Sequence, residues 1–467
     1  MHCFIKQIKN FGNSIMNMGL NRLYNIKVSI SEYIYGFSYP QQCFTPCNNF
    51  QIYQNNANNF NINYHQNFPN CFQKNNLTNQ NTNIRESIKN KNDNMNTNYE
   101  KNEEFIPKPQ MTHLRGLVNI ESTCYMNSIL QCFCHIKELS DYFQTGKMNQ
   151  LSYFYLNNEN KLFPVFHEIV INLWNLWDES PYSPYNFKKR LGKMNPLFNG
   201  PVPNDAKDLL TFILIELHEE LNKPKNNNNI NNNNNNYLLN PNRQLNKKLM
   251  FDTFKKSFIN NNLSIISGLF FGINYTEAQC QFCKNIIYNY ETFNFMIFPL
   301  HKVLQYKIIS NNFISNFNNT VTLYDCFEYN RTITNLNDYH CNICNNNGNC
   351  KFRTNISILP NVLIIILNRG TGLQYKVNIS FDNENLGLKN YVEYYQEESF
   401  YELIGLVTHY GESSASGHFV ARCKSPIDNE WYLYNDQIIQ KIGYFNKEAF
   451  SQGNPYILFY KKINFQK

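Results

Sequence analysis

The chain has 467 residues, a formal net charge of +7, 42% hydrophobic residues and 15% aromatic residues. The positive charge is not gathered into a basic run, which argues against nucleic acid as the partner, and no stretch of about 18 apolar residues offers a membrane span. Fourteen cysteines would fit a disulfide framework, but positions 1–20 carry Lys6 and Lys9 and no apolar core of signal-peptide length, so the thiols read as reduced side chains or metal ligands of an intracellular protein, cytoplasmic or nuclear.

Residues 1–108 are dominated by Asn and Gln, in stretches such as QNNANNFNIN and NLTNQNTN, with few apolar residues recurring at any period. Such a segment buries too little surface to offset its chain entropy, so it is expected to be disordered. Pro107 and Pro109 punctuate its end, and a folded region is expected over 109–467.

The stretch 116–139 reads GLVNIESTCYMNSILQCFCHIKEL. Met126, Ile129, Leu130, Phe133 and Ile136 recur at three- and four-residue spacing, which predicts an amphipathic helix entered at Cys124. A thiol at a helix mouth feels the positive end of the helix dipole, which favours the nucleophilic thiolate. The competing reading is a small buried residue, as Cys132 and Cys134 deeper in the same helix are expected to be.

Two further helices are predicted over 162–177, with Trp174 and Trp177 as core, and over 205–221, with Asn204-Asp205 as its capping start. Asp205 and Asp208, three apart, share one face of the first turn; they either complement the helix dipole or form an acidic patch for a basic ligand. An Asn-rich loop is expected at 225–247, and from Phe251 onward the pattern turns strand-like. Runs at 263–273, 286–300, 354–368, 401–410, 417–424, 430–434 and 455–462 predict strands, with 361–367 (NVLIIIL) buried on both faces. The expected fold class is α+β, a helical half followed by a largely antiparallel β half.

Within the β half, Cys280-Gln281-Phe282-Cys283 and Cys341-Asn342-Ile343-Cys344 supply four thiolates, the donor set of a structural tetrahedral zinc. The 57 residues between them, positions 284–340, are too many for a compact ribbon, so the two pairs are expected at the tips of two β excursions that return to each other. Cys350 is a spare or alternate ligand. Farther on, His418 opens a strand after a Gly- and Ser-rich loop, and Asn435-Asp436 follow the Trp431-Tyr432-Leu433-Tyr434 strand. A histidine can take a thiol proton while an amide or carboxylate orients its ring, the cysteine variant of the serine triad.

These motifs, together with NDAKDLLTFILIELHEEL at 204–221, LPNVLIIILNR at 359–369, GHFVARC at 417–423 and PYILFY at 455–460, resemble the ubiquitin-specific protease family of cysteine deubiquitinases. The match is collinear over about 109–464. The resemblance implies a papain-like α+β fold with a helical thumb (about 116–222), an antiparallel β palm and zinc-bearing β fingers (palm and fingers about 250–464). It implies hydrolysis of the bond at the C-terminal glycine of ubiquitin, with ubiquitin and ubiquitinated proteins as partners and neither nucleic acid nor membrane. By the same resemblance Cys124 is the nucleophile, His418 the general base and Asn435 its orienting partner, with Asp436 alternative or auxiliary. Asn119 would donate to the oxyanion, Cys280, Cys283, Cys341 and Cys344 would hold a structural zinc, and Asp205 and Asp208 would face arginines of the ubiquitin tail. Where the family usually has Gly, this chain has Glu121. If that position needs positive φ, a non-glycine residue costs about 1 kcal/mol or more, and the carboxylate opposes thiolate formation. A ubiquitin-binding scaffold with weak catalysis is therefore the alternative, and a zinc-stabilised interaction module with a structural Cys124 is a third reading.

Overall fold

The computed structural model describes residues 115–145, 160–174, 178, 180–223, 247–311, 319–370, 376–393, 400–413, 416–444 and 453–463. All belong to the unit Pro109–Lys467. The Asn-rich expectations at 1–108 and 225–246, and Trp177, lie outside the described residues.

The helical layer contains α1 (Cys124–Cys134), α2 (Lys137–Gln144), α3 (Phe163–Leu173), α4 (Tyr185–Met194) and α5 (Ala206–Leu221). α1 departs from the amphipathic expectation, because all eleven of its residues are buried. Its polar side chains find acceptors close by: Gln131 donates to the Arg115 carbonyl at 2.8 Å and Ser128 to the Tyr125 carbonyl at 3.0 Å, while Gln131 Oε1 and Asn127 Oδ1 are buried without a partner among the described residues. A helix buried on every side becomes the axis around which the other elements pack. The carboxylate of Glu220, on α5, accepts the Leu162 and Phe163 amides at 2.7 Å each and closes the open N-terminus of α3.

The strand expectation at 263–273 is corrected. Ser264 and Ser267 form a reciprocal capping box that starts α7 (Ile265–Phe270), and the first strand, β1 (Gly272–Cys280), begins only at its end. The preceding segment is also helical, α6 (Lys247–Asn261), against the expected change to strand at Phe251. Its apolar side is short: Phe251 is the residue it buries, against Tyr275 and Tyr290 of the neighbouring sheet. The run 286–300 divides into β2 (Ile286–Phe293) and β3 (Met296–Pro299), then enters α8 (Leu300–Asn311). After β4 (Thr320–Thr322), Thr322 and Asp325 cap α9 (Leu323–Asn330) in the same reciprocal way. Helices thus persist into the second half.

The remaining strands are β5 (Thr334–Cys341), β6 (Asn346–Ile358), β7 (Val362–Asn368), β8 (Asn378–Ser380), β9 (Leu386–Gly387), β10 (Phe400–Ser413), β11 (Ser416–Lys424), β12 (Trp431–Asn435), β13 (Ile438–Gly443) and β14 (Asn454–Ile463). An eight-stranded sheet runs β13-β12-β11-β10-β14-β7-β3, with β9 on β10; it is antiparallel apart from the β3–β7 pair. A four-stranded antiparallel sheet runs β2-β1-β6-β5, and β4 and β8 form a small parallel pair. The helical layer, the large sheet and the small sheet correspond to the expected thumb, palm and fingers.

β7 fulfils its sequence expectation. Val362, Ile364 and Ile366 join the core shared with the helical layer, while Leu363, Ile365 and Leu367 join a second core under α8 and α9. β14 alternates the same way, with Ile457 and Phe459 on one face and Leu458 and Tyr460 on the other. Both central strands are therefore fixed in register, since a one-residue slip would exchange the two cores.

Candidate active site

Residues 116–123 approach α1 along a seam against the turn after β12. Leu117 N–H donates to the Asp436 carbonyl at 2.9 Å, and a Cβ on Gly116 would stand 2.5 Å from the Gln437 carbonyl oxygen. Only glycine fits there. The next turn is held by side chains: Thr123 N–H donates to Asn119 Oδ1 at 2.8 Å, and Ile120 N–H to Thr123 Oγ1 at 2.8 Å. Glu121 (φ +52°) and Ser122 (φ +67°) occupy the left-handed region, so the position at which the resemblance leads one to expect glycine does have positive φ. Lys188, buried between the Phe198 carbonyl (2.9 Å) and the Tyr125 ring, lies within electrostatic reach of Glu121.

Cys124 is the first residue of α1 and is 6% exposed, so its thiol sits at the positive end of a buried helix. Its partner is His418. The imidazole pKa is raised to about 9, first by its hydrogen bond with Cys124, then by Asn435 and by the charges of Cys124 and Asp436, against burial. His418 Nε2 donates to Asn435 Oδ1 at 2.7 Å, which leaves Nδ1 for the thiol. Asp436 Oδ2 lies 3.8 Å from the same Nε2.

β11 and β12 place this pair. A Cβ on Gly417 would fall 2.3 Å from the His409 ring, so glycine lets the strand carrying His418 lie against β10. Tyr434, just before Asn435, bonds through its hydroxyl to His135 Nε2 at 2.8 Å, and His135 Nδ1 meets the Gln131 carbonyl at 2.7 Å. The end of β12 is thereby tied to the end of α1. Burial pushes the His135 imidazole down to about 4, so it stays neutral in this lock.

Asn119 Nδ2 donates to Asp436 Oδ2 at 2.8 Å, and Asn127 Nδ2 to Asp436 Oδ1 at 2.8 Å. Asn127 was missed from the sequence, because its partner lies 309 positions away. Asp205 is the N-cap of α5, accepting the Lys207 amide at 2.9 Å, and the Tyr456 hydroxyl lies 2.7 and 2.9 Å from its two oxygens. Asp208, in the first turn, shares Lys207 with it at 3.7 Å, and burial raises its carboxyl pKa. The structure thus brings Cys124, His418, Asn435, Asp436 and Asn119 together, with Asp205 and Asp208 in a separate acidic pair.

The four thiols of Cys280, Cys283, Cys341 and Cys344 lie within 4.8 Å of one another, at the tips of the β1–β2 and β5–β6 turns. Cys283–Cys341 and Cys280–Cys344 are 3.7 and 4.0 Å apart. A sulfur tetrahedron about a metal with bonds of about 2.3 Å has edges of about 3.8 Å, so the donor set fits. The two turns repeat one design. Lys284 and Asn345, each just after the second cysteine, have φ of +62° and +54° and donate their amides back to Cys280 and Cys341. Cys350 pairs with Cys280 across the β1–β6 ladder but is outside the cluster.

The profile of the family described as "Ubiquitin carboxyl-terminal hydrolase" matches residues 115–460. The chain belongs to this family. It is 24% identical over 360 residues to ubiquitin carboxyl-terminal hydrolase 2 of Rattus norvegicus, covering 74% of this chain and 54% of that protein. It is 25% identical to the Homo sapiens protein of the same name, again over 74% of this chain and 55% of that one. The chain thus spans about half the length of these relatives. Among solved structures, the SAGA Ubp8/Sgf11/Sus1/Sgf73 DUB module bound to ubiquitin aldehyde matches with a TM-score of 0.54 at 22% identity, over 77% of this chain and 72% of that one. That likeness shows a shared fold. It agrees with the papain-like α+β expectation.

Proposed function

We propose that the protein is a cysteine deubiquitinase that hydrolyses the bond at the C-terminal glycine of ubiquitin and so removes ubiquitin from proteins. The observation that carries this reading is the convergence of Cys124 at a helix mouth with His418 and Asn435 on β11 and β12. The thiolate attacks the glycine carbonyl, and the oxyanion takes hydrogen bonds from the Cys124 amide and from Asn119. The Asn119 amide nitrogen has two hydrogens, one engaged with Asp436 and one left for the oxyanion. Protonated His418 passes its proton to the leaving lysine amine, giving a thioester. Water, deprotonated by the same imidazole, adds to the thioester, and collapse expels the Cys124 thiolate and frees the ubiquitin carboxylate.

Asp205 and Asp208 face arginines of the ubiquitin tail in this reading. The four-cysteine cluster holds a structural zinc, which four thiolates close completely; the metal supplies folding energy to the small sheet. Ten free cysteines among the described residues support a reducing compartment inside the cell, cytoplasm or nucleus. No helix among the described residues is long and apolar enough to cross a membrane.

A ubiquitin probe carrying a C-terminal electrophile tests the reading. Covalent labelling of the full chain, lost in Cys124→Ala, is the expected result. Ubiquitin binding without labelling would instead mark a weak or inactive scaffold, the role that the charge and strain at Glu121 favour.

A further inference from the structure

Asp205 is held from two sides of a seam between the helical layer and the large sheet. From its own helix it caps α5 through the Lys207 amide at 2.9 Å. From β14, the Tyr456 hydroxyl meets both carboxylate oxygens, at 2.7 and 2.9 Å. A carboxylate has about four acceptor positions, so these two donors fix its plane and leave capacity for another. The side chain is 38% exposed, and Lys207 Nζ stays 3.9 Å away, a weak surface contact that an incoming guanidinium can replace.

Tyr456 also reaches the catalytic strand. Its ring packs on Phe419, next in sequence to His418, at 5.9 Å between centroids, and Phe419 packs on His409 at 4.6 Å. One hydroxyl therefore links an acidic group on the helical layer to the strand that carries the general base.

We infer that Tyr456 is a specificity-positioning residue: its hydroxyl holds the Asp205 carboxylate in the orientation that receives a tail guanidinium of the substrate in bidentate fashion. This rests on the ubiquitin reading above and deepens it. A residue that merely joined two layers would affect every substrate alike. A residue that aims Asp205 affects only substrates bearing the cation.

The test uses the full chain with Tyr456→Phe, which keeps the ring on Phe419 and removes one oxygen, and thermal melting to verify folding. Two substrates are compared, ubiquitin with a C-terminal fluorophore and the same molecule with its tail arginines changed to alanine. We expect KM for the native tail to rise about five- to twentyfold, with kcat within about twofold, and no change for the arginine-free tail. Asp205→Asn, which retains the cap, should reproduce the effect, and Tyr456→Phe should add less than about twofold on top of it. Equal losses on both tails, a fall in kcat at constant KM, or additive effects of the two substitutions would each overturn the inference. Ubiquitin binding to Cys124→Ala, measured by calorimetry, separates the two levels. No binding at all sinks the functional reading and this inference together, whereas binding with no discrimination by Tyr456→Phe sinks this inference alone.

Discussion

Asp436 accepts the side-chain amide of Asn119 at 2.8 Å, from 317 positions away in the sequence. Its other oxygen accepts Asn127 and its carbonyl accepts Leu117 N–H, so one residue after β12 organises the loop that leads into Cys124. Removing the carboxylate frees Asn119 and leaves the Asn127 amide buried without its charged acceptor, at about 1–3 kcal/mol. We expect Asp436→Ala to lower kcat for a ubiquitin substrate by about tenfold to a hundredfold through misplacement of the oxyanion donor, and to lower the melting temperature. Unchanged kcat in a folded variant would show that Asn119 is held without it.

Glu121 sits at φ +52° at the mouth of the site. Left-handed backbone costs a non-glycine residue about 1–2 kcal/mol, of which the flexibility of glycine in the unfolded chain returns about 0.5–1 kcal/mol. Glu121→Gly should therefore raise stability by about 0.5 kcal/mol and, by removing a carboxylate from the thiolate's surroundings, speed labelling by the electrophilic probe. A loss of stability would mean that the attraction between Glu121 and buried Lys188 outweighs the backbone strain.

His418 retains its proton up to about 9, above its usual 6.5, mainly because of its hydrogen bond with Cys124. A folded-state value above the unfolded one stabilises the fold below about pH 6.5, and this contribution is lost as pH rises through about 9. The rate of Cys124 alkylation by iodoacetamide should hold from neutral pH and change through a step near pH 9, and Asn435→Ala should bring that step lower. A step at the ordinary histidine value would disprove the pairing of the imidazole with the thiol.

The sulfur cluster at the tips of the small sheet should bind one zinc per chain. Elemental analysis of the purified protein tests this, and Cys283→Ala should reduce the zinc content. Hydrogen exchange should then quicken in β1, β2, β5 and β6 while β7 and β14 stay protected, because among the described residues the cluster on the small sheet is small: Ile273, Tyr275 and Tyr290 with Phe251 of α6. Four readily titrated thiols in metal-free protein of native stability would exclude the structural role.

The grouping of the candidate site residues was more legible in the sequence than secondary structure. Cysteine spacing and the residues flanking Cys124 and His418 are constrained by reactivity, and they appear as short fixed patterns. α6 and α7 were misread because their neighbourhoods are aromatic and β-branched, while the capping box that starts α7 uses Ser267 in place of the usual acidic or amide partner. Tertiary burial overrides periodicity in α1 too. Ser128 and Gln131 donate to backbone carbonyls and Asn127 to the Asp436 carboxylate, so a helix that reads as amphipathic is enclosed on every side. Tyr456 and Asn127 gave little local signal, because their partners lie 251 and 309 positions away.

The place of β14 governs when the large sheet can close during synthesis. The final described strand lies between β10 and β7, inside the large sheet and not at its rim. A ribosome-bound chain that has extruded everything up to β13 therefore has a gap in its central sheet, with Asp205 lacking Tyr456 and β10 lacking its neighbour on one side. Because non-local pairing must wait for the distant segment, the large sheet of the nascent chain stays incomplete until β14 has emerged.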